Sequence, residues 1–250
     1  MIVKIGNFFF RYRNGLFPLA YLVLFLKSPQ FLRSPLLAAG LGLLVAGLGQ
    51  LLRAVTIGSE YIPRGGKNRE VHARKVVQNG IYAHCRNPLY LGNLLILLGL
   101  GLASNSVLFL TVVFPFFLFA YWTIIAAEEK YLLANFGDEF AAYLARVNRL
   151  IPNLSGLGES MSETTFSWRR FIKAEYGPTY IWLAGMILVQ IKNLWHADNY
   201  GPGSPVVWGL WAALGLITLA YLVARYLKKT DRLKKPKRAS PSPSPADRVQ

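Results

Sequence analysis

Two groups of residues in this 250-residue chain have the types and the spacing to do chemistry. The first is the stretch Asn79–Gly92, which packs Tyr82, His84, Cys85, Arg86, Asn87, Pro88 and Tyr90 into a short polar run. The second is the adjacent carboxylate pair Glu128–Glu129, 36 residues beyond Gly92. Carboxylates at the end of an apolar run are costly to bury unless a cation meets them. The preceding Ile124-Ile125-Ala126-Ala127 predicts that at least one of the two points into the protein, where something cationic should meet it. Taken singly, the signals also have plain structural readings. Asn87-Pro88 can simply start a helix, because Pro is tolerated in the first turn, and a Tyr at a membrane interface is ordinary.

What joins the two groups is a pair of apolar segments connected by the polar turn Ser104-Asn105-Ser106. A chain that crosses a bilayer and returns brings Tyr82, Arg86, Asn87, Pro88 and Tyr90 beside Glu128 at one membrane face. Val107–Ala127 runs 21 residues without a charge and Pro205–Ala224 runs 20. Each is long enough to span about 30 Å of hydrocarbon. The expected fold is therefore all-α, a polytopic helical membrane protein with about six spans. They are a short Leu16–Leu26, then Leu36–Leu52, Leu89–Ala103, Val107–Ala127, Thr179–Ile191 and Pro205–Tyr226. Residues 1–15 read as an interfacial segment with Arg11 and Arg13 at the headgroups. Ala38, Gly42 and Ala46 form a small-residue ridge for close helix packing. Pro115 should kink its helix. Beyond Glu128, Leu132, Phe136, Phe140, Leu144 and Val147 keep helical spacing up to Pro152, interrupted by Gly137.

By domain, 1–155 reads as a four-span core with the site loops and the amphipathic segment. Residues 156–178 read as a cytosolic linker, 179–227 as a two-span hairpin, and 228–250 as a disordered basic Ser/Pro tail. The net charge of +16 does not point to nucleic acid. Twenty-five of the Lys and Arg residues fall before residue 16, in 53–87, in 128–178 and from 225 onward, against Lys27, Arg33 and Lys192 in the alternate connections. That asymmetry places both termini and the site on the cytoplasmic side, with acidic lipid headgroups as partners. The single Cys85 excludes an internal disulfide. His72, His84 and His196 show no metal-ligand spacing, so no metal is expected. No cleavable signal peptide is evident.

Asn-Gly-x-Tyr, then Arg-Asn-Pro-x-Tyr-x-Gly, two spans, Glu-Glu, and Phe-Gly-Asp-Glu-Phe…Tyr…Arg-Val…Ile-Pro together resemble the isoprenylcysteine carboxyl methyltransferases, within a wider group that includes phospholipid N-methyltransferases. The resemblance covers about residues 64–152. It implies S-adenosylmethionine (SAM) as cofactor, bound at the cytosolic face. Carried across by position, it implies cofactor contacts from Lys67, the strip Arg74, Lys75, Val76 and Val77, then Tyr82, Asn87, Pro88, Leu89, Tyr90 and Glu128. Position 87 is more often His in that family.

SAM carries an ammonium, a carboxylate, an adenine ring and a sulfonium. Glu128 suits the ammonium, backbone N–H groups near Asn87 the carboxylate, and Tyr82 or Tyr90 an aromatic face or hydroxyl. Methyl transfer to a carboxylate needs no general base. Transfer to an amine does, and His84 or Glu129 are the nearby candidates. One departure stands out. The isoprenylcysteine enzymes carry an Arg one turn before the first Glu, placed for the substrate carboxylate, and this chain has Ile124 there. Arg146 or Arg149 is the sequence's candidate for the missing charge. The expected activity is SAM-dependent methyl transfer to a lipophilic or lipidated acceptor in the membrane. A phospholipid amine acceptor and a non-catalytic module of the same fold remain as alternatives.

Overall fold

A chain segment in hydrocarbon must satisfy its own backbone polar groups, which a helix does internally. The computed structural model describes residues 1–59, 75–162, 164–196 and 204–230, and these form an all-helical protein. Helix α1 (Ile2–Tyr21) runs into a short 3-10 turn, Leu22–Phe25, and is followed by α2 (Pro35–Ser59). A second 3-10 turn, Gly80–Ala83, precedes α3 (Pro88–Ser104). A π-helical turn, Phe109–Val113, then leads without a break into α4 (Phe114–Arg146). The short α5 (Leu157–Ser162) and the long α6 (Trp168–His196) and α7 (Pro205–Lys229) complete the chain. Helix α2, the continuous helix Phe109–Arg146 and α7 are each long and apolar enough to cross a bilayer, and α3 is a shorter apolar helix. The molecule is a helical membrane protein. Five of the six apolar segments expected from the sequence fall in separate helices, and Leu16–Leu26 covers the end of α1 and the 3-10 turn after it.

Helices α2 and α3 are in close backbone contact. A Cβ on Gly42 would stand 2.5 Å from the Gly99 carbonyl oxygen, and one on Gly99 would stand 2.5 Å from Gly42 O and Ala46 N. The small-residue ridge of α2 thus meets a matching one on α3, with Ala38, Gly42 and Ala46 all buried. Gly92 has a different use. A Cβ there would lie 2.6 Å from Arg53 Cγ, so its absence lets the arginine stem pass. Arg53 then grips Glu175 of α6 through Nε to Oε2 and Nη2 to Oε1, both at 2.8 Å, while its third nitrogen bonds Asn93 Oδ1. Glu175 is fully buried. The sequence places Arg53 among the loop cations, whereas in the fold it pins α6 to the core.

That pin also moves the helix boundary. Helix α6 begins at Trp168 rather than Thr179, with Pro178 inside it, because its first turns are held by tertiary bonds. Ser167 N–H donates to Gly58 O at 2.8 Å and Arg170 to Ser59 O at 3.2 Å. Residues 1–15 likewise do not lie apart but supply most of α1, whose Gly6, Phe10 and Phe17 are buried. Gly6 abuts the Thr123 carbonyl of α4 so closely that no side chain fits there. The distortion expected at Pro115 takes the form of the π turn just before it. Asn105 closes the α3–α4 turn in the left-handed conformation, φ 53°. Its side chain accepts from the Phe31 and Leu32 N–H groups and donates to Leu32 O.

Candidate functional site

The site is built by two elements that the sequence separates. Residues 79–87 approach α3 as a loop and 3-10 turn, with Gly80 at φ 58° opening the turn and Pro88 in the first turn of α3. Across from them, α4 changes direction at Gly137 (φ 48°, ψ −126°), a conformation that suits glycine. The segment beyond Gly137 folds over the loop. Phe140, Tyr143 and Val147 make a small core with Val76, Leu132, Phe136 and Leu144, and the Tyr143 hydroxyl donates to Tyr82 O at 2.7 Å.

The chain after α4 then clamps the loop through its backbone. Arg86 N–H donates to Asn148 O at 2.9 Å, Asn87 Nδ2 to Arg149 O at 3.0 Å, and Arg86 Nη1 to Leu144 O at 2.7 Å. Cys85 is completely buried, with its thiol 3.3 Å from Leu150 O. Burial pushes that thiol up to about 11, which keeps it protonated and inert. His84 is buried with both ring nitrogens engaged. Nδ1 donates to Asn153 O at 2.6 Å, and Nε2 lies 2.9 Å from Ser160 Oγ.

The two carboxylates have separate fates. Glu129 pairs with Arg86 at 3.1 Å and with Arg149, which also donates through Nε at 3.2 Å. The Arg149 guanidinium in turn lies 4.4 Å from the Trp122 ring centre. Glu128 is half-buried and accepts the Tyr90 hydroxyl at 2.7 Å. Among the described residues no Lys or Arg lies within ion-pair distance of Glu128. The Tyr90 ring sits 5.2 Å from that of Tyr121, which packs on Phe17 of α1 at 5.5 Å.

The fold therefore brings Tyr90 and Glu128 into direct contact, with Asn87, Pro88 and Leu89 in the same turn and Tyr82 buried beneath Tyr143. Val76 and Val77 are half-buried at the edge and Lys75 is exposed. Lys67 and Arg74 lie outside the described residues. Arg146 is exposed and bonds Gln78 Oε1 at 3.0 Å, away from both carboxylates. Arg149 is committed to Glu129. Ile124 is fully buried in the apolar core.

Tyr143 and Arg13 carry no sequence signal that marks them on their own. Tyr143 shares a helical face with Phe140 and Val147, which reads as packing. Arg13 falls between Phe10 and Phe17 at helical spacing, on the buried stripe of α1.

A half-buried carboxylate that forms no ion pair among the described residues fits a ligand ammonium. Arg86 Nε, buried and without an acceptor, is a donor that a ligand carboxylate would satisfy. The residues present thus suit an amino-acid zwitterion of the kind SAM carries.

A family model for phospholipid methyltransferases matches residues 35–139, which cover α2, α3 and most of α4. The chain is 33% identical over 159 residues to the cobalt-zinc-cadmium resistance protein CzcN of Cupriavidus metallidurans, covering 62% of this chain and 66% of that one. It is 30% identical over 165 residues to the nickel-cobalt-cadmium resistance protein NccN of Alcaligenes xylosoxydans, covering 64% and 68%. It is 34% identical over 115 residues to the protein-S-isoprenylcysteine O-methyltransferase of Schizosaccharomyces pombe, covering 42% and 45%. The chain thus spans about two thirds of the first two relatives and under half of the third. No solved structure gives a significant match. The chain belongs to the phospholipid methyltransferase family of membrane enzymes, in which an isoprenylcysteine O-methyltransferase is among its relatives.

Proposed function

We propose that this protein transfers a methyl group from SAM to a lipophilic acceptor that reaches the site from the bilayer. The observation that carries this reading is Glu128, a carboxylate held half-buried by the Tyr90 hydroxyl and, among the described residues, in no ion pair. Desolvating a carboxylate is costly unless a positive partner arrives, and a bound ammonium would be that partner. The Asn87–Tyr90 turn, Tyr82 and the Lys75–Val77 strip form the rest of the cofactor wall. When bound, SAM supplies a methyl group on a sulfonium.

The protein's own part is positioning. Arg86 and Arg149 fix Glu129, and Glu129 locks the segment after α4 onto the loop before α3. Apolar walls around Tyr121 and Ile124 keep water from the acceptor side. Positioning of this kind is worth several kcal/mol of barrier in favourable cases.

Neither nearby base candidate is free. His84 uses both ring nitrogens and Glu129 is held by two arginines. That favours an acceptor which reacts as an anion over an amine that must first lose a proton. Calorimetry of the purified protein with SAM tests the cofactor half. Micromolar binding is expected, and no binding at millimolar SAM would remove the reading.

A further inference from the structure

We propose that Arg13 of the N-terminal helix holds the anionic group of the methyl acceptor and supplies the charge that Ile124 does not. The proposal rests on the methyltransferase reading above, because it concerns the acceptor half of the same site.

The placement follows from packing. Gly6, Phe10, Phe17 and Leu24 are buried at helical spacing along α1 and the turn after it. Arg13 falls on that stripe, half-buried between Phe10 and Phe17. Gly6 lies against Thr123 and Ala127 of α4, while Phe17 lies against Phe117 and Tyr121. Arg13 therefore stands between these two levels. Its guanidinium leans back one turn and lies 4.1 Å from the Phe10 ring centre, which directs it toward the Ile124–Glu128 end of α4. Side chains on a helix lean toward its N-terminus in just this way.

The guanidinium is also uncommitted. Among the described residues it has no ion pair and no hydrogen-bond acceptor. An aromatic ring under its face leaves its N–H rim available for a carboxylate fork. Its field reaches Glu128, Tyr90 and Tyr121.

Among the described residues the other arginines near the site have partners, and the Nε that Arg86 leaves over is the donor assigned above to the cofactor carboxylate. Arg53 grips Glu175, Arg86 and Arg149 share Glu129, and Arg146 is exposed on Gln78. With Arg13 in this role the acceptor is a lipophilic carboxylate. One acceptor oxygen forms the new O–CH3 bond as the S–CH3 bond breaks and its electron pair stays on sulfur. The acceptor's negative charge and the sulfonium's positive charge vanish together, and no proton moves.

The test compares N-acetylfarnesylcysteine with its methyl ester, binding each to the full-length protein in nanodiscs of neutral phosphatidylcholine. Wild type should prefer the acid. Arg13→Gln should weaken the acid by roughly 10- to 100-fold, the range for losing a charge-assisted bond, and leave the ester within twofold. Arg13→Lys keeps the charge and the stem, so it folds in either case. It should lose several-fold of the acid affinity alone, since it lacks the planar fork.

The proposal is overturned if wild type shows no preference for the acid, if either variant keeps the full preference, or if acid and ester weaken together. In those cases Arg13 is a headgroup anchor. Failure of the wild type to bind SAM would remove the cofactor reading instead, because the acid–ester comparison needs no SAM.

Discussion

The Tyr90 hydroxyl donates to Glu128 across 2.7 Å, joining the first turn of α3 to the inner end of α4. Glu128 should therefore be separable from the fold, since among the described residues it forms no ion pair that would be broken. Glu128→Gln is expected to lose SAM affinity by a few kcal/mol, as when one member of a desolvated charge pair is removed, with little change in melting temperature. Tyr90→Phe should cost only about 1 kcal/mol of affinity, the scale of one hydrogen bond. Calorimetry and thermal melting read the two effects apart. Wild-type SAM affinity in Glu128→Gln would remove Glu128 from the cofactor site.

Glu129 should behave in the opposite way. It is nearly enclosed and holds both Arg86 and Arg149. Glu129→Gln leaves two cations without their anion and is expected to destabilise the protein by about 3 kcal/mol. A double-mutant cycle with Arg149→Gln should show a coupling of about 1 kcal/mol or more. Arg146→Gln, at an exposed position, should change stability by less than about 0.5 kcal/mol. A Glu129→Gln protein that melts with wild type and loses only turnover would make Glu129 a catalytic group rather than a clamp.

The pairing of Tyr90 with Glu128 was legible because it needs only a motif, two apolar segments and a turn at Ser104-Asn105-Ser106. Helical periodicity carries such information over short distances. The ridge of Ala38, Gly42 and Ala46 was legible for the same reason. Arg53–Glu175 was not, because the partners lie 122 positions apart and each reads as an ordinary charge near a span. Only the tertiary contact shows that Gly92 is small so that Arg53 can pass. The start of α6 was misplaced by the same blindness. Residues 156–178 read as a linker, but bonds from Ser167 and Arg170 to the end of α2 hold the first turns of α6 within it. Arg13 reads as a headgroup anchor in the sequence, and its place on the buried stripe of α1 is visible only once α1 is seen packed along α4.

The α2–α3 contact gives a stability prediction. Gly99→Leu would force a side chain into a space where even a Cβ meets the Gly42 carbonyl at 2.5 Å. Overpacking of this kind costs about 1–3 kcal/mol and sometimes more. Because these two helices carry Arg53 and Tyr90, SAM binding should fall along with the melting temperature. Gly47→Leu on α2 has open space around it and serves as the control. Equal melting of the two variants would deny the backbone contact.

The last prediction concerns Cys85 and the sidedness of the protein. Its thiol is fully buried and pushed up to about 11. At pH 8 about one thiol in a thousand is then thiolate, against roughly a quarter for an ordinary cysteine. Since the thiolate is the nucleophile, native protein should resist maleimide at pH 8 and react fully in detergent denaturant. Rapid native labelling would contradict the burial. If Cys85 is silent, the natural protein is already a clean background for single-cysteine mapping. Ser34 and Ser155 are both exposed at opposite ends of the helices that flank the site. Removing the buried Arg53 from the loop cations leaves a bias of 24 to 3, still strongly one-sided. By the positive-inside rule, Ser34→Cys should label with an impermeant maleimide on intact cells, and Ser155→Cys only in inverted vesicles. The reverse pattern would place the Tyr90–Glu128 site on the outer face, where a cytosolic cofactor could not reach it.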